Sequence, residues 1–215
     1  MKNFILLFMV VIFLFSETYA QNENGSPFVW GMRLGINWAT ITSDNKEGLE
    51  ARTSGVIGAF TRHKLGENFV VQPEINYTLK GAARRIVDNN DLQFDYSLSF
   101  DFFEIPVLLK YNFGSTVNSK FKPELFVGPF LAFKLSSSLK LDDVPNSDID
   151  ITNVKSTDYG LAFGTGMGFK IDNVDLLLEL RYTLSLSSFD DNVAQSDLVN
   201  GKYRVFSITT GFVIN

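Results

Sequence analysis

The residues best suited to chemistry in this sequence are acids and bases that alternate with apolar residues. Glu179 and Arg181 are two positions apart and are separated by a leucine. In an extended strand, residues two apart point to the same side, so both groups can bridge to charges on neighbouring strands. Burying charges is costly unless they are paired and hydrogen-bonded, which favours a structural ion-pair network over a proton or ion pathway. The predicted network comprises Arg33, Glu74, Glu104, Lys110, Glu124, Glu179 and Arg181, and Lys170 shares its predicted face.

The sequence contains few residues that could act as a nucleophile or bind a metal ion. The 215-residue chain has no cysteine and one histidine, His63, which excludes a thiolate nucleophile, a disulfide framework and a zinc–thiolate site. A membrane-embedded hydrolase remains an alternative, in which His63 would act with a serine or an aspartate. A calcium site in Asp142–Asp150 or Asp88–Asp95 is another, although neither spacing matches a calcium-binding loop. We predict a non-enzymatic protein with no cofactor and no metal.

The first twenty residues differ from the rest of the chain. Lys2 precedes an unbroken run of twelve apolar residues, Phe4 to Phe15, and the small residues Thr18 and Ala20 follow. This layout is typical of a cleaved signal peptide. A membrane anchor is the alternative, but a spanning helix needs about 20 apolar residues. We therefore predict a signal peptide over residues 1–20 and a single domain over residues 21–215.

The elements that must position the charged residues are predicted to be β-strands, because apolar residues recur with period two. Leu176, Leu178 and Leu180 share one face of a strand, and Glu179 and Arg181 share the other. A helix would place Leu176 and Leu178 about 200° apart, so no apolar stripe would form. The weakest pattern is in the second of eight predicted strands. These strands are Met32–Trp38, Thr53–His63, Val71–Lys80, Phe103–Tyr111, Pro123–Leu135, Asp158–Lys170, Val174–Leu186 and Arg204–Ile214.

Three irregularities accompany the alternation. Four glycines between Gly160 and Gly168 alternate with large apolar residues, which indicates a narrow interior that must accommodate bulky neighbours. Upstream of Phe103 the large apolar residues are even-numbered, whereas from Phe103 to Tyr111 the apolar face is odd-numbered. A bulge near Phe102 would bring the two sets onto one face. Prolines that are unfavourable for a hydrogen-bonded ladder occur within three strands, at Pro73, Pro106 and Pro129.

The connections between the predicted strands alternate in length. The connections at 64–68 and 172–175 are short, whereas Ser43–Arg52, Ala82–Asp91, Ser136–Thr157 and Ser187–Lys202 are long and carry most of the acid. Asn112–Phe121 is the exception. Short periplasmic turns and long extracellular loops are typical of outer-membrane barrels, with both termini in the periplasm. His63 then lies at the periplasmic end, away from the acidic loops. The aromatic residues predicted to form interfacial girdles are Trp38, Tyr111, Tyr182 and Tyr203.

These patterns predict an all-β fold, an eight-stranded antiparallel up-and-down transmembrane β-barrel. Such a barrel is just wide enough for side chains to fill its interior, which argues against an open pore. The expected surroundings are outer-membrane lipid, the barrel assembly machinery and a protein partner bound through the extracellular loops. A net charge of −5 without a basic stripe argues against nucleic acid. The alternative is a secreted lipocalin-like ligand binder, which would turn its apolar face inward.

Several segments together resemble the PorT-like outer-membrane β-barrel family of Gram-negative bacteria. The most specific is Phe103–Tyr111 (FEIPVLLKY), and the others are Gln72–Tyr77 (QPEINY) with Gly81, Gly128-Pro129, Gly164–Gly166 and Leu178–Tyr182. The resemblance spans nearly the whole chain after residue 20. It implies a barrel of about eight strands without an assigned activity. One member takes part in a protein-secretion apparatus, which makes a component of such an apparatus a further alternative.

Overall fold

The computed structural model describes residues 28–42, 49–87, 93–113, 121–141, 149–150, 155–171, 174–188 and 201–214. The expected signal segment, residues 1–20, lies outside these ranges. Residues 88–92 and 142–148, which make up most of the segments considered for calcium, also lie outside them. In the described part of the chain, no helix is long and apolar enough to cross a membrane.

Ten strands follow one another in the described ranges, and eight of them are long. The long strands are β1 (Phe28–Thr42), β3 (Arg52–Lys64), β4 (Phe69–Val87), β5 (Gln93–Asn112), β6 (Phe121–Leu141), β8 (Thr157–Ile171), β9 (Val174–Ser185) and β10 (Lys202–Ile214). The two-residue strands are β2 (Leu49–Glu50) and β7 (Ile149–Asp150).

The eight long strands close into a barrel in which every neighbouring pair is antiparallel. The circular order is β1, β3, β4, β5, β6, β8, β9 and β10, and β10 pairs again with β1. Strand β2 adds to β4 and strand β7 adds to β6. The predicted eight-stranded antiparallel barrel is therefore confirmed, including the weakly patterned second strand, which becomes β3.

The barrel has an apolar exterior and a polar interior. In β1, Met32, Leu34 and Ile36 are 50–52% exposed, whereas Arg33 and Asn37, at the alternate positions of the strand, are buried. This arrangement is typical of transmembrane barrels, whose strands alternate apolar-out and polar-in. A lipocalin-like barrel would place the apolar set inside, which is the opposite of what the structure shows.

Strand β5 keeps one phase from Leu98 to Lys110, which corrects the predicted change of face. Phe100 and Phe102 are buried and point inward, on the same face as Glu104. The irregularity lies near Phe102, but the extra residue is in β6. Asp101 pairs with Ser136 and Phe102 pairs with Lys134, so Leu135 has no partner. The prediction was wrong because it placed every large apolar side chain outside, whereas these rings fill the interior.

Strands β4, β5 and β6 extend well beyond the predicted boundaries. Pairing continues from Ala83 with Ser97 to Val87 with Gln93, inside the segment predicted as the loop Ala82–Asp91. Strand β6 likewise runs to Leu141, into the predicted loop Ser136–Thr157. Opposite them, β1 ends at Thr42 and β10 begins at Lys202. One side of the barrel therefore continues past the rim as a sheet, which β2 and β7 widen.

The three prolines interrupt the ladder without ending a strand. Pro73 pairs with Val107 and Pro106 pairs with Phe130, so Pro73, Pro106 and Pro129 lie side by side across β4, β5 and β6. Pairing between β4 and β5, and between β5 and β6, is missing for two positions beside this row. Proline has no N–H to donate, which explains the gaps.

Aromatic rings gather on the exterior near both ends. Tyr111 packs against Phe69 and Phe113, with ring centroids 5.2 Å and 5.0 Å apart. The ring centroids of Trp38 and Phe206 are 5.8 Å apart, at the end of the barrel where the long connections lie. Tyr203 is a correction to the predicted girdle, because it is buried inside the barrel.

Candidate functional site

The centre of the interior is organised around the carboxylate of Glu74. Arg33 Nη1 donates to Glu74 Oε2 at 2.6 Å, and Arg181 donates from both terminal nitrogens to the two oxygens at 2.8 Å. Gln72 and Asn76, on the same face of β4, add hydrogen bonds of 2.7 Å and 2.9 Å. The buried carboxylate therefore accepts from four side chains on three strands, which offsets the cost of removing it from water.

The same cluster continues toward the turn end of the barrel. Arg181 Nη2 also donates to Glu179 Oε2 at 3.0 Å. Lys110 Nζ bonds to Glu179 and donates to Glu124 Oε1 at 2.6 Å. Arg62 Nη2 donates to Glu124 Oε2 at 2.7 Å and completes the row. We call this set the central cluster: Arg33, Arg62, Glu74, Lys110, Glu124, Glu179 and Arg181.

A second ion-paired group lies closer to the loop end. Lys80 Nζ contacts Glu104 Oε2 at 2.8 Å and Asp158 Oδ2 at 2.9 Å. Ser185 and Ser187 donate to the two oxygens of Asp158 at 2.7 Å and 2.6 Å. This group, the Lys80 cluster, has one cation and two carboxylates. The central cluster has four cations and three carboxylates, so the two clusters balance each other in charge.

Aromatic rings cover the Lys80 cluster on its loop side. The Lys80 ammonium lies 4.6 Å from the centroid of the Phe130 ring and 4.9 Å from that of Phe102. Phe100 and Phe102 each pack edge-on against Tyr203 at 5.5 Å. Because Tyr203 belongs to β10 and the phenylalanines to β5, these contacts cross the barrel. They close its interior with an apolar layer.

Glycines of β8 make room for aromatic rings inside the barrel. The register places Gly160 beside Phe130 and Gly164 beside Phe126, on the inward face. Cβ atoms on Gly164 and Gly160 would each lie 2.0 Å from a backbone carbonyl oxygen of β9, that of Leu180 and that of Leu184, respectively. They would also lie 2.7 Å from Phe126 Cζ and 2.8 Å from Phe130 Cε1. All of these distances are shorter than van der Waals contact. The alternating glycines therefore permit large rings inside a narrow barrel.

All seven residues of the predicted network lie in the interior. Six belong to the central cluster, whereas Glu104 pairs with Lys80 in the second cluster. Lys170, which shares the predicted face, is exposed at the turn end and joins neither cluster. The sequence reasoning missed Arg62, Lys80 and Asp158. The alternation of inward and outward residues was the available signal, because all three occupy positions on the inward face of their strands.

The space left between the two clusters is very small. A cavity of about 10 Å³ is lined by Arg33, Asn76, Lys80, Glu104 and Arg181, among others. This is about the volume of one water molecule. Between the two clusters, the described side chains therefore leave room for about one water molecule and not for a larger solute.

The one histidine lies apart from these clusters. His63 is near the turn end of β3, where the register pairs it with Phe28 and Val71. The hydrogen bonds between serines and Asp158 lie at the loop end of the barrel. Within the described ranges, no group of three or more histidine, cysteine, aspartate or glutamate residues could hold a metal ion.

Comparison with known proteins gives the family. The model of the "Outer membrane protein beta-barrel domain" family matches residues 19–191. Among solved structures, Neisserial surface protein A is 18% identical, with 89% of this chain and 99% of that chain covered and a TM-score of 0.49. OprG from Pseudomonas aeruginosa is 13% identical, with 91% and 100% covered and a TM-score of 0.48. Ail from Yersinia pestis is 10% identical, with 88% and 100% covered and a TM-score of 0.44.

A search of curated proteins found no match. The family model alone spans most of the sequence, including every strand from β1 to β9. The chain therefore belongs to the outer membrane protein beta-barrel domain family, and it is an outer-membrane protein whose apolar exterior faces membrane lipid.

Proposed function

We propose that this protein is a non-enzymatic outer-membrane barrel with a closed interior, which presents its loop end to a protein partner outside the cell. The observation that carries the proposal is the filling of the interior. The carboxylates of both clusters are paired with cations, and the rings of Phe100, Phe102 and Tyr203 cover the Lys80 cluster on its loop side. Polar groups that bind one another are not available to a solute. The interior then acts as the structural core of the barrel.

The contact surface in this proposal is the sheet that continues past the rim. It is built from the ends of β4, β5 and β6, with β2 and β7 at its edges. The pairing of Val87 with Gln93 is five residues beyond the pairing of Ala82 with Leu98, where the buried core ends. At about 3.3 Å per residue, this corresponds to roughly 17 Å of strand. A regular sheet of this size offers a partner a defined surface.

The proposal includes the orientation and the export route. Residues 1–20 would act as a cleaved signal peptide, the barrel assembly machinery would insert the chain, and both termini would lie in the periplasm. We retain the PorT-like relationship as part of this proposal. Its motifs support barrel construction, because Glu74, Glu104 and Lys110 are interior ion-pair residues. They do not support a role in secretion.

Cysteine labelling tests the proposal, because the native chain has no cysteine. Ser138→Cys would place a thiol at the base of the sheet, where Ser138 pairs with Ser99 of β5 and Asp150 of β7. Glu67→Cys would place one on an exposed turn at the other end. We expect a membrane-impermeant maleimide to label Ser138→Cys in intact cells and Glu67→Cys only after permeabilisation. The reverse result would overturn the orientation.

The same variants test the contact with a partner. A photo-reactive maleimide on Ser138→Cys should form one discrete cross-linked species in intact cells, and the matched probe on Glu67→Cys should not form it. If neither variant gives a discrete species, the proposed contact surface is wrong.

An ion pathway is the second candidate function. It is favoured by one observation, since charged groups follow one another from Arg62 at the turn end to Asp158 at the loop end. Between the two clusters, the row passes a cavity of about 10 Å³, which has room for about one water molecule. Conductance of the intact barrel separates the two candidates.

A further inference from the structure

An arginine lies on the lipid-facing surface, near the loop end of the barrel. Arg204 in β10 pairs with Thr40 of β1 and with Leu184 of β9. Its neighbours Tyr203 and Val205 are buried inside, so Arg204 shares the outward face with Phe206, which is 39% exposed. The Nη1 atom of Arg204 is buried and has no hydrogen-bond partner among the described residues. Because this atom is enclosed by protein, a contact with lipid would be made by the partly exposed remainder of the Arg204 side chain.

Aromatic rings place Arg204 at the level of the lipid headgroups. Directly below it, Phe206 packs against Trp38, with ring centroids 5.8 Å apart. Tyr182 pairs with Phe206 in the register and packs against Phe163 at 5.5 Å. Belts of aromatic residues mark the boundary between hydrocarbon and headgroups. Above the rings, Lys202 is a second cation on the same face of β10.

An apolar depression begins beneath this pair of cations. Its volume is about 660 Å³, and its wall includes Phe206, Tyr182 and Phe163. Leu180 and Thr165 line it as well, and Thr165 is smaller than its outward neighbours. The Thr165 hydroxyl donates to the Glu124 carbonyl at 3.1 Å, so its proton is already used within the barrel wall.

We infer that this face binds one class of ligand, a phosphate-bearing membrane lipid. The lipid phosphate would accept hydrogen bonds from Arg204 and Lys202, and an acyl chain would lie in the depression. Charge complementarity supports this occupant, because arginine donates to phosphate in a fixed fork and both cations lie at headgroup level. The apolar wall below supports it too, because a free anion would make no use of it. The inference depends on the family assignment and not on the proposed orientation.

Quenching of Trp38 by lipids with brominated acyl chains tests the inference. The chain has two tryptophans, so Trp30→Phe leaves Trp38 as the reporter beside Phe206. The folded barrel is placed in phosphatidylcholine vesicles that contain either brominated phosphatidic acid or brominated phosphatidylcholine. We expect brominated phosphatidic acid to quench Trp38 fluorescence at a lower mole fraction than brominated phosphatidylcholine does. The required mole fraction should be about fivefold lower for each cation that contacts the lipid phosphate.

Substitution of both cations identifies the source of that preference. In the double variant Arg204→Gln with Lys202→Gln, brominated phosphatidic acid and brominated phosphatidylcholine should quench Trp38 at about the same mole fraction. The matched control Lys170→Gln, an exposed cation at the turn end, should retain it. Heat-modifiable migration on a gel verifies that each variant is folded.

Three results would overturn the inference. Equal quenching by the two lipids would show that the surface does not select a lipid phosphate. A preference that survives in the double variant would show that Arg204 and Lys202 do not bind it. Full displacement of the lipid by inorganic phosphate at matched ionic strength would show an anion site without a bound acyl chain.

Discussion

At the scale of single residues, Glu74 makes more polar contacts than any other acid of the central cluster. Its two oxygens accept hydrogen bonds from Arg33, Arg181, Gln72 and Asn76. If this carboxylate is neutralised, two buried guanidinium groups lose their main counter-charge. Removal of one partner from a buried ion pair costs more than the net value of the pair, because the other charge stays buried.

Glu74→Gln is therefore expected to lower the free energy of unfolding by about 3–5 kcal/mol. Urea unfolding of the folded barrel in lipid vesicles, followed by tryptophan fluorescence, measures this change. Glu67→Gln, on an exposed turn, is the matched control and should change stability by less than about 0.5 kcal/mol. Equal effects of the two substitutions would show that the Glu74 contacts do not stabilise the barrel.

The Lys80 cluster allows a test of charge pairing itself. Lys80→Met keeps the volume of the side chain but leaves Glu104 and Asp158 without their cation, so we expect a loss of about 3–5 kcal/mol. Adding Glu104→Gln and Asp158→Asn removes the uncompensated charges and should recover most of that loss. The same unfolding assay measures both variants. If the triple variant is less stable than Lys80→Met, the loss arises from packing rather than from unpaired charge.

At the scale of elements, strand β8 is adapted to the rings that it faces. A Cβ on Gly164 would be 2.0 Å from the backbone carbonyl oxygen of Leu180 and 2.7 Å from Phe126, whereas the nearest atom to a Cβ on Gly168 would be 3.5 Å away. The two glycines are on the same face of one strand and differ mainly in this spacing. They therefore provide a matched comparison.

We expect Gly164→Ala to destabilise the barrel by about 1–3 kcal/mol, the usual cost of overfilling a packed interior. Gly168→Ala should change stability by less than about 0.5 kcal/mol. Thermal unfolding monitored by gel migration ranks the two variants. A greater loss for Gly168→Ala would contradict the explanation of the glycine pattern.

The sheet beyond the rim is a separable element of the fold. Replacing residues 84–96 by an Asn-Gly turn would join Ala83 to Ser97, which already face each other in the ladder. The core residues Ala82, Leu98, Phe100 and Phe102 remain. We expect the shortened chain to fold into a heat-modifiable barrel and to lose the cross-linked species formed at Ser138→Cys. Failure to fold would show that the extension belongs to the core.

At the scale of the whole molecule, the eight-stranded barrel could be predicted because lipid imposes a simple pattern. A strand in a membrane must place an apolar residue outside at every second position, and Leu176, Leu178 and Leu180 follow this rule. Phe100, Phe102 and Tyr203 were assigned to the wrong face because aromatic residues suit both an interface and a packed interior. The extension was missed because Gly81 to Arg85 shows no alternation.

The partners within the interior could not be read from the sequence. Arg62 bonds to Glu124, 62 positions away, and Lys80 bonds to Asp158, 78 positions away. Such pairs depend on the closure of the barrel and on the stagger of its strands. Parity alone identifies which side chains point inward, but it does not identify which of them meet.

The central claim is that two ion-paired clusters and an aromatic layer close the interior of this outer-membrane barrel. The conductance of the folded, full-length barrel in a planar lipid bilayer tests it most directly. We predict that insertion, verified by heat-modifiable migration of the recovered protein, produces no conductance steps above the bare bilayer. Stable, salt-dependent steps from the unaltered chain would contradict the closed interior and would favour the ion pathway.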